Sequence, residues 1–123
     1  MLYLAITLLI ATGLAHSYLG ERYLLVRLFT RDNLPKLFGS AAFTKGTLRF
    51  AWHLTTIVWW GFAYLIFLAT KGSLTTIQTL KVIGAVALLS GFFPLLFTRG
   101  KHLSWIVFFV VGGLLLAAAD SHP

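Results

Sequence analysis

Three histidines carry the chemistry this sequence has to offer. His16, His53 and His102 stand on three separate apolar stretches, each near a cluster of basic residues. Imidazole is a common metal-binding side chain, and one ring nitrogen can ligate while the other is held by an acceptor. Glu21 is the one acidic residue beside them apart from Asp32 in a connecting segment. Three imidazoles and a carboxylate suit a transition metal ion such as zinc, iron, copper or manganese. His16, His53, His102 and Glu21 are therefore the candidate metal ligands. His16 lies five residues before Glu21 and His53 six after Thr47. At 1.5 Å per residue both sit about 7–9 Å inside the apolar layer. Two imidazoles at one depth also suit a bis-histidine haem b. Gly13 and Gly20, one turn either side of His16, would leave room for the macrocycle, and Arg49, Lys101 and Arg22 would pair with its propionates. His16, His53 and Arg49 are the candidate cofactor-binding residues. His102 should lie shallower.

A histidine in a membrane protein serves equally well as a hydrogen-bonding group between helices. Ser17, Thr56, Trp52 and Trp105 are partners within reach for that role. Arg49 by itself reads best as a residue reaching for lipid phosphate. No catalytic residue is assigned. The chain has no phosphate-binding glycine loop and no Gly-x-Ser-x-Gly elbow, and Ser17 cannot form a triad with its neighbour His16. Cysteine is absent, which removes disulfides and thiolates.

These residues need elements that hold them in an apolar layer. Hydrophobic residues make up 59% of the 123, and charged ones 11%, too few to solvate a soluble domain. The apolar residues come in blocks long enough to cross a bilayer, for which roughly 20 suffice. The expected fold is all-α: a polytopic membrane protein with four transmembrane helices in an up-down bundle, forming one domain over 1–123. The helices are placed at about 2–19, 47–70, 74–97 and 103–119, with a basic interfacial segment over about 20–46. The first stretch lacks the basic start of a signal peptide and is kept as a helix. In the second, Arg49, His53, Thr56, Trp60 and Tyr64 recur at helical spacing, so that helix should wall a site. Gly72 should end it, with Ser73 capping the third helix. Pro94 should kink the third. Gly84, Ala87 and Gly91, with Gly112 and Gly113 of the fourth, should allow close packing. Trp52 and Trp105 fit an interfacial belt. Phe43-Thr44-Lys45-Gly46 echoes Phe97-Thr98-Arg99-Gly100, and Thr44 and Thr98 are candidate caps for the helices that follow. His122 in the tail carries no role.

Charge sets the expected orientation. Arg22, Arg27, Arg31, Lys36, Lys45, Arg49, Arg99 and Lys101 fall on one side, and only Lys71 and Lys81 on the other. Basic loops stay cytoplasmic, which places both termini outward (N-out, C-out). The net charge of +7 belongs to that bias and calls for no nucleic acid.

The run His16-Ser17-Tyr18-Leu19-Gly20-Glu21, with Leu48-Arg49-Phe50-Ala51-Trp52-His53 later, resembles a group of small bacterial four-helix membrane proteins. The resemblance implies a multi-pass protein of the bacterial inner membrane. It transfers no activity and no functional residue. Three function classes follow from the residues: a metal- or haem-binding membrane protein, redox-linked or not; an accessory subunit of a larger membrane complex or a homo-oligomer; and a small transporter or proton relay. The lipid bilayer is the one partner common to all three.

Overall fold

A computed structural model of the protein describes residues 1–121; His122 lies outside them. The described residues form helices and no strand. Four of the helices are long and apolar enough to cross a membrane: α1 Leu2–Leu28, α2 Ala42–Thr70, α3 Thr76–Phe97 and α4 Ser104–Ser121. Large apolar side chains such as Leu4, Leu8, Phe62, Leu89, Val107 and Leu114 are exposed, and the buried apolar core is small. That inversion suits a chain solvated by lipid rather than water.

Several boundaries differ from the sequence expectation. α1 does not stop at Leu19. It widens into a π-helical segment, Gly20–Leu25, and runs on through Val26–Leu28. α2 begins at Ala42, so the connecting segment shrinks to 29–41. Gly72, at φ +64°, does end α2. Its amide donates to Ala69 O and that of Ser73 to Leu68 O, a closure that consumes the free carbonyls of the last turn. Ser73 is used up there, so the cap of α3 falls to Thr75, whose hydroxyl accepts from the Gln78 amide at 3.1 Å. Thr44 is inside α2 and donates to Pro35 O at 2.8 Å. Thr98 closes α3, donating to Pro94 O and accepting from the His102 amide. Neither threonine caps the helix that follows, and the two echoing tetrapeptides occupy different structural places.

The helices pack in a row. Among the described residues α1 packs against α2, α2 against α3, and α3 against α4, while α1 and α4 do not meet. A closed bundle would bring them together. In lipid, apolar surface alone gives helices no reason to associate, so only faces with small residues or polar pairs do so. Gly84 and Gly91 of α3 and Gly112 of α4 make such a face: a methyl at Gly112 would stand 2.6 Å from Leu88 and 2.9 Å from Gly84 O. Gly61 of α2 receives Val86, and Gly46 lies against the Phe97 carbonyl. Gly113, in contrast, faces open space and does not contribute. Pro94 is fully buried inside α3.

At Gly91 an added β-carbon would lie 2.8 Å from the Phe109 ring. Gly91→Leu is expected to destabilise the α3–α4 pair by about 1–3 kcal/mol through overpacking. Gly113→Ala should cost no stability and gain up to about 1 kcal/mol of helix propensity. Thermal unfolding of the two variants in detergent checks both expectations.

Candidate functional site

The site is the seam between α1 and α2. Gly13, Ser17 and Glu21 follow one another at four-residue spacing and so share one face of α1. Arg49, His53, Thr56 and Trp60 form the facing stripe of α2, as their spacing indicated. The pairing runs in opposite senses: Glu21 meets Arg49 and His53, Ser17 meets His53 and Thr56, Gly13 meets Thr56, and Ile10 meets Trp60.

Two separate polar networks result. The first centres on His53. Its Nε2 lies 3.1 Å from Glu21 Oε2, and its Nδ1 lies 2.9 Å from Ser17 Oγ. Ser17 Oγ is 2.8 Å from Thr56 Oγ1, which reaches the Gly13 carbonyl at 3.2 Å. Arg49 holds the other end. Its Nη2 donates to Glu21 Oε1 at 2.6 Å and its Nε to Oε2 at 3.1 Å. That two-point fork fixes the carboxylate plane as well as its charge. Arg49 thus pairs within the protein instead of reaching for lipid phosphate, and it also stacks its guanidinium 4.9 Å from the Phe29 ring centre. On the α3 side His53 faces Phe93 and Phe97, which carry no charge.

The second network is a reciprocal clamp. Trp52 Nε1 donates to the His16 carbonyl at 2.9 Å, and His16 Nε2 lies 3.1 Å from the Trp52 carbonyl. Thr55 Oγ1 sits 2.9 Å from the same nitrogen and 2.7 Å from the same carbonyl. The His16 and Trp52 rings stack at 4.4 Å with an interplanar angle of 5°. Trp52 is therefore a cross-helix group, whose indole and carbonyl both bond to His16. Glycine makes the clamp possible: a side chain at Gly20 would overlap the Trp52 indole, and one at Gly13 would come 2.5 Å from Trp60 Nε1. The space expected to admit a macrocycle is occupied by these two indoles.

The candidate ligand set is consequently divided. Glu21 and His53 are brought together, His16 belongs to the clamp, and His102 stands apart. His102 bonds Ser104 Oγ through Nδ1 at 2.8 Å and lies between the Phe43 and Phe50 rings. Among the described residues no three histidine, aspartate or glutamate side chains gather closely enough to hold a metal ion. Both ring nitrogens of His53 already have protein partners. The sequence underrated two participants. Ser17 was visible one turn before Glu21, but its partner lies on the next helix. Thr55 carried no signal at all, since its neighbour Thr56 has the better position on the helical stripe.

No protein-family model matches the chain, and neither a curated protein nor a solved structure is similar enough to count as a relative.

The division into two networks has a measurable consequence. His53→Ala and Ser17→Ala share a hydrogen bond and should couple by about 0.5–3 kcal/mol in a double-mutant cycle. His53→Ala and His16→Ala share no hydrogen-bond partner, so their effects on unfolding free energy should add within about 0.5 kcal/mol. Strong coupling between the two histidines would mean that they act on one common centre.

Proposed function

We propose that this is a small multi-pass membrane protein whose α1–α2 seam binds and passes a proton at its basic end. The observation that carries the reading is His53, bonded through both ring nitrogens in a line of hydrogen bonds. The line runs Glu21, His53, Ser17, Thr56, Gly13 carbonyl, and contains four bonds. Each bond needs one hydrogen. The two ends, a carboxylate and a carbonyl, only accept. Each hydroxyl supplies one hydrogen and a neutral imidazole one more, which makes three. The line is one hydrogen short.

One added proton completes it. Imidazolium donates to Glu21 and to Ser17, Ser17 donates to Thr56, and Thr56 donates to the Gly13 carbonyl. The Arg49 fork, which engages both oxygens of Glu21, makes His53 the natural seat of the added proton. When the proton leaves, the gap moves along the line by rotation of the Ser17 and Thr56 hydroxyls. The His16 clamp behaves otherwise. A neutral imidazole with its hydrogen on Nε2 and the Thr55 hydroxyl both donate to the Trp52 carbonyl, and a proton added at Nδ1 would bring no further hydrogen to these contacts. The line covers eight residues of α1, about 12 Å at 1.5 Å per residue. It is a proton-holding site at one membrane face, and not a path across.

The charge distribution supports an up-down arrangement with this basic end cytoplasmic and both termini outward, in a bacterial inner membrane. The accessory-subunit reading draws on a different observation. The open row leaves the outer faces of α1 and α4 unpaired within the chain, where a larger membrane complex would dock. The metal and haem readings require His53 to give up one of its two protein bonds.

Proton binding is tested by nitrogen-15 NMR of histidine-labelled protein in detergent. Across a pH range that keeps the protein folded, His53 should show a form with both ring nitrogens protonated beside a neutral form, and Ser17→Ala should change their balance. A single unchanging tautomer across the range would sink the relay. Metal analysis and an absorption spectrum of the same sample, grown with metal and haem supplied, decide the competing reading.

A further inference from the structure

A second site lies at the same end of the molecule, away from the histidine seam. The connecting segment 29–41 and the turn between α3 and α4 meet beside the start of α2. They border an open pocket of about 300 Å³ lined by Ser40, Phe43, Phe97, Thr98, Arg99 and Lys101 among others, with Arg99 and Lys101 exposed at its rim. Its walls are built firmly. The Thr44 hydroxyl pins Pro35 O, Trp105 Nε1 donates to Gly100 O at 3.1 Å, and the Lys101 ammonium lies 5.2 Å from the Phe38 ring centre, joining the two segments.

No carboxylate lines this cavity. The chain has three acidic residues. Glu21 is taken by Arg49 and His53, Asp120 lies 3.5 Å from Lys81, and Asp32, on the connecting segment, is outside the lining and forms no salt bridge among the described residues. Among the described residues Arg99 and Lys101 have no salt-bridge partner. Two cations and two hydroxyl-bearing residues therefore share a pocket without a counter-ion.

The backbone at Arg99 adds a second observation. α3 ends in a closure of the same kind as α2: the Arg99 amide donates to Leu96 O and the Gly100 amide to Leu95 O. In α2 the left-handed residue of that closure is Gly72. In α3 it is Arg99, at φ +52°, a conformation that disfavours a side chain. A glycine would suit this position better. Arginine stands where local structure argues against it, and its side chain lines the cavity.

We propose that this cavity binds a phosphate group, specifically the headgroup phosphate of an anionic phospholipid. Arg99 supplies a planar fork for phosphate oxygens and Lys101 a second charge. Phe43 and Phe97 offer apolar walls to the glycerol and acyl base. The position at the basic end of the apolar helices is headgroup level.

The test uses the full chain purified in a non-ionic detergent. Phosphatidylglycerol or phosphatidylcholine is added, and the lipid retained is counted by native mass spectrometry. The expected result is one phosphatidylglycerol per chain above the phosphatidylcholine background. Arg99→Gly combined with Lys101→Gln should weaken retention by about tenfold or more, the scale of losing two charge-assisted bonds. Arg99→Gly suits the left-handed backbone, so a weakened variant that still elutes as one species has lost the contact and not the fold. Should the pair fail to fold, Lys101→Gln alone serves. Arg27→Gln with Arg31→Gln removes the same charge from the same end outside the cavity and should change retention less than about threefold. Inorganic phosphate forms the second arm. Displacement of the lipid at millimolar phosphate would support the pocket and make free phosphate its occupant; no displacement supports the lipid. Equal losses in the two variant pairs, or equal retention of the two lipids, would overturn the proposal.

Discussion

The fork between Arg49 and Glu21 is the constraint on which the site depends. A part-buried carboxylate at the edge of the apolar layer is costly unless it is paired and hydrogen-bonded. Arg49 meets both oxygens and leaves Oε2 able to accept from His53 as well. Once Glu21 is fixed, the imidazole of His53 is oriented, and its far nitrogen is aimed at Ser17. Each group in the line positions the next. Removing the fork would leave the part-buried carboxylate with His53 as its remaining partner and its plane no longer fixed.

Glycine does the complementary work on α1. The indoles of Trp52 and Trp60 enter where Gly20 and Gly13 have no side chain. Those insertions bring the helices close enough for hydroxyls as short as Ser17 and Thr56 to touch. The π-helical segment begins at Gly20, beside Glu21. Such widened turns recur at functional sites because they redirect side chains without ending the helix. Here the segment carries α1 past the seam and buries Leu25 beyond it.

Much of this was legible in the residues. Long apolar blocks gave the four helices, and the helical spacing of Arg49, His53, Thr56 and Trp60 gave the wall of the site. The glycine face of Gly84, Gly91 and Gly112 was visible too. What could not be read is which partner each polar group takes across a seam. Depth arguments placed His16 and His53 together, and depth is one coordinate of three. Rotation about the helix axis separates them, since His16 looks toward Trp52 and Thr55 and its neighbour Ser17 toward His53. Nor does any residue announce a π-turn. Gly113 shows the same limit, because adjacent glycines on a helix face different ways and only Gly112 meets α3.

The arrangement of helices in a row also bears on how the chain assembles. Among the described residues each helix packs only against its neighbours in sequence. Contacts of that kind join successive helices through short connections, which favours stepwise assembly. As synthesis proceeds, α2 can dock on α1 before α3 exists, and α3 can dock before α4. Both polar networks lie wholly within the first of these steps. Glu21 and Arg49 are therefore paired with each other as soon as the first hairpin has formed, and no later helix is needed to neutralise them.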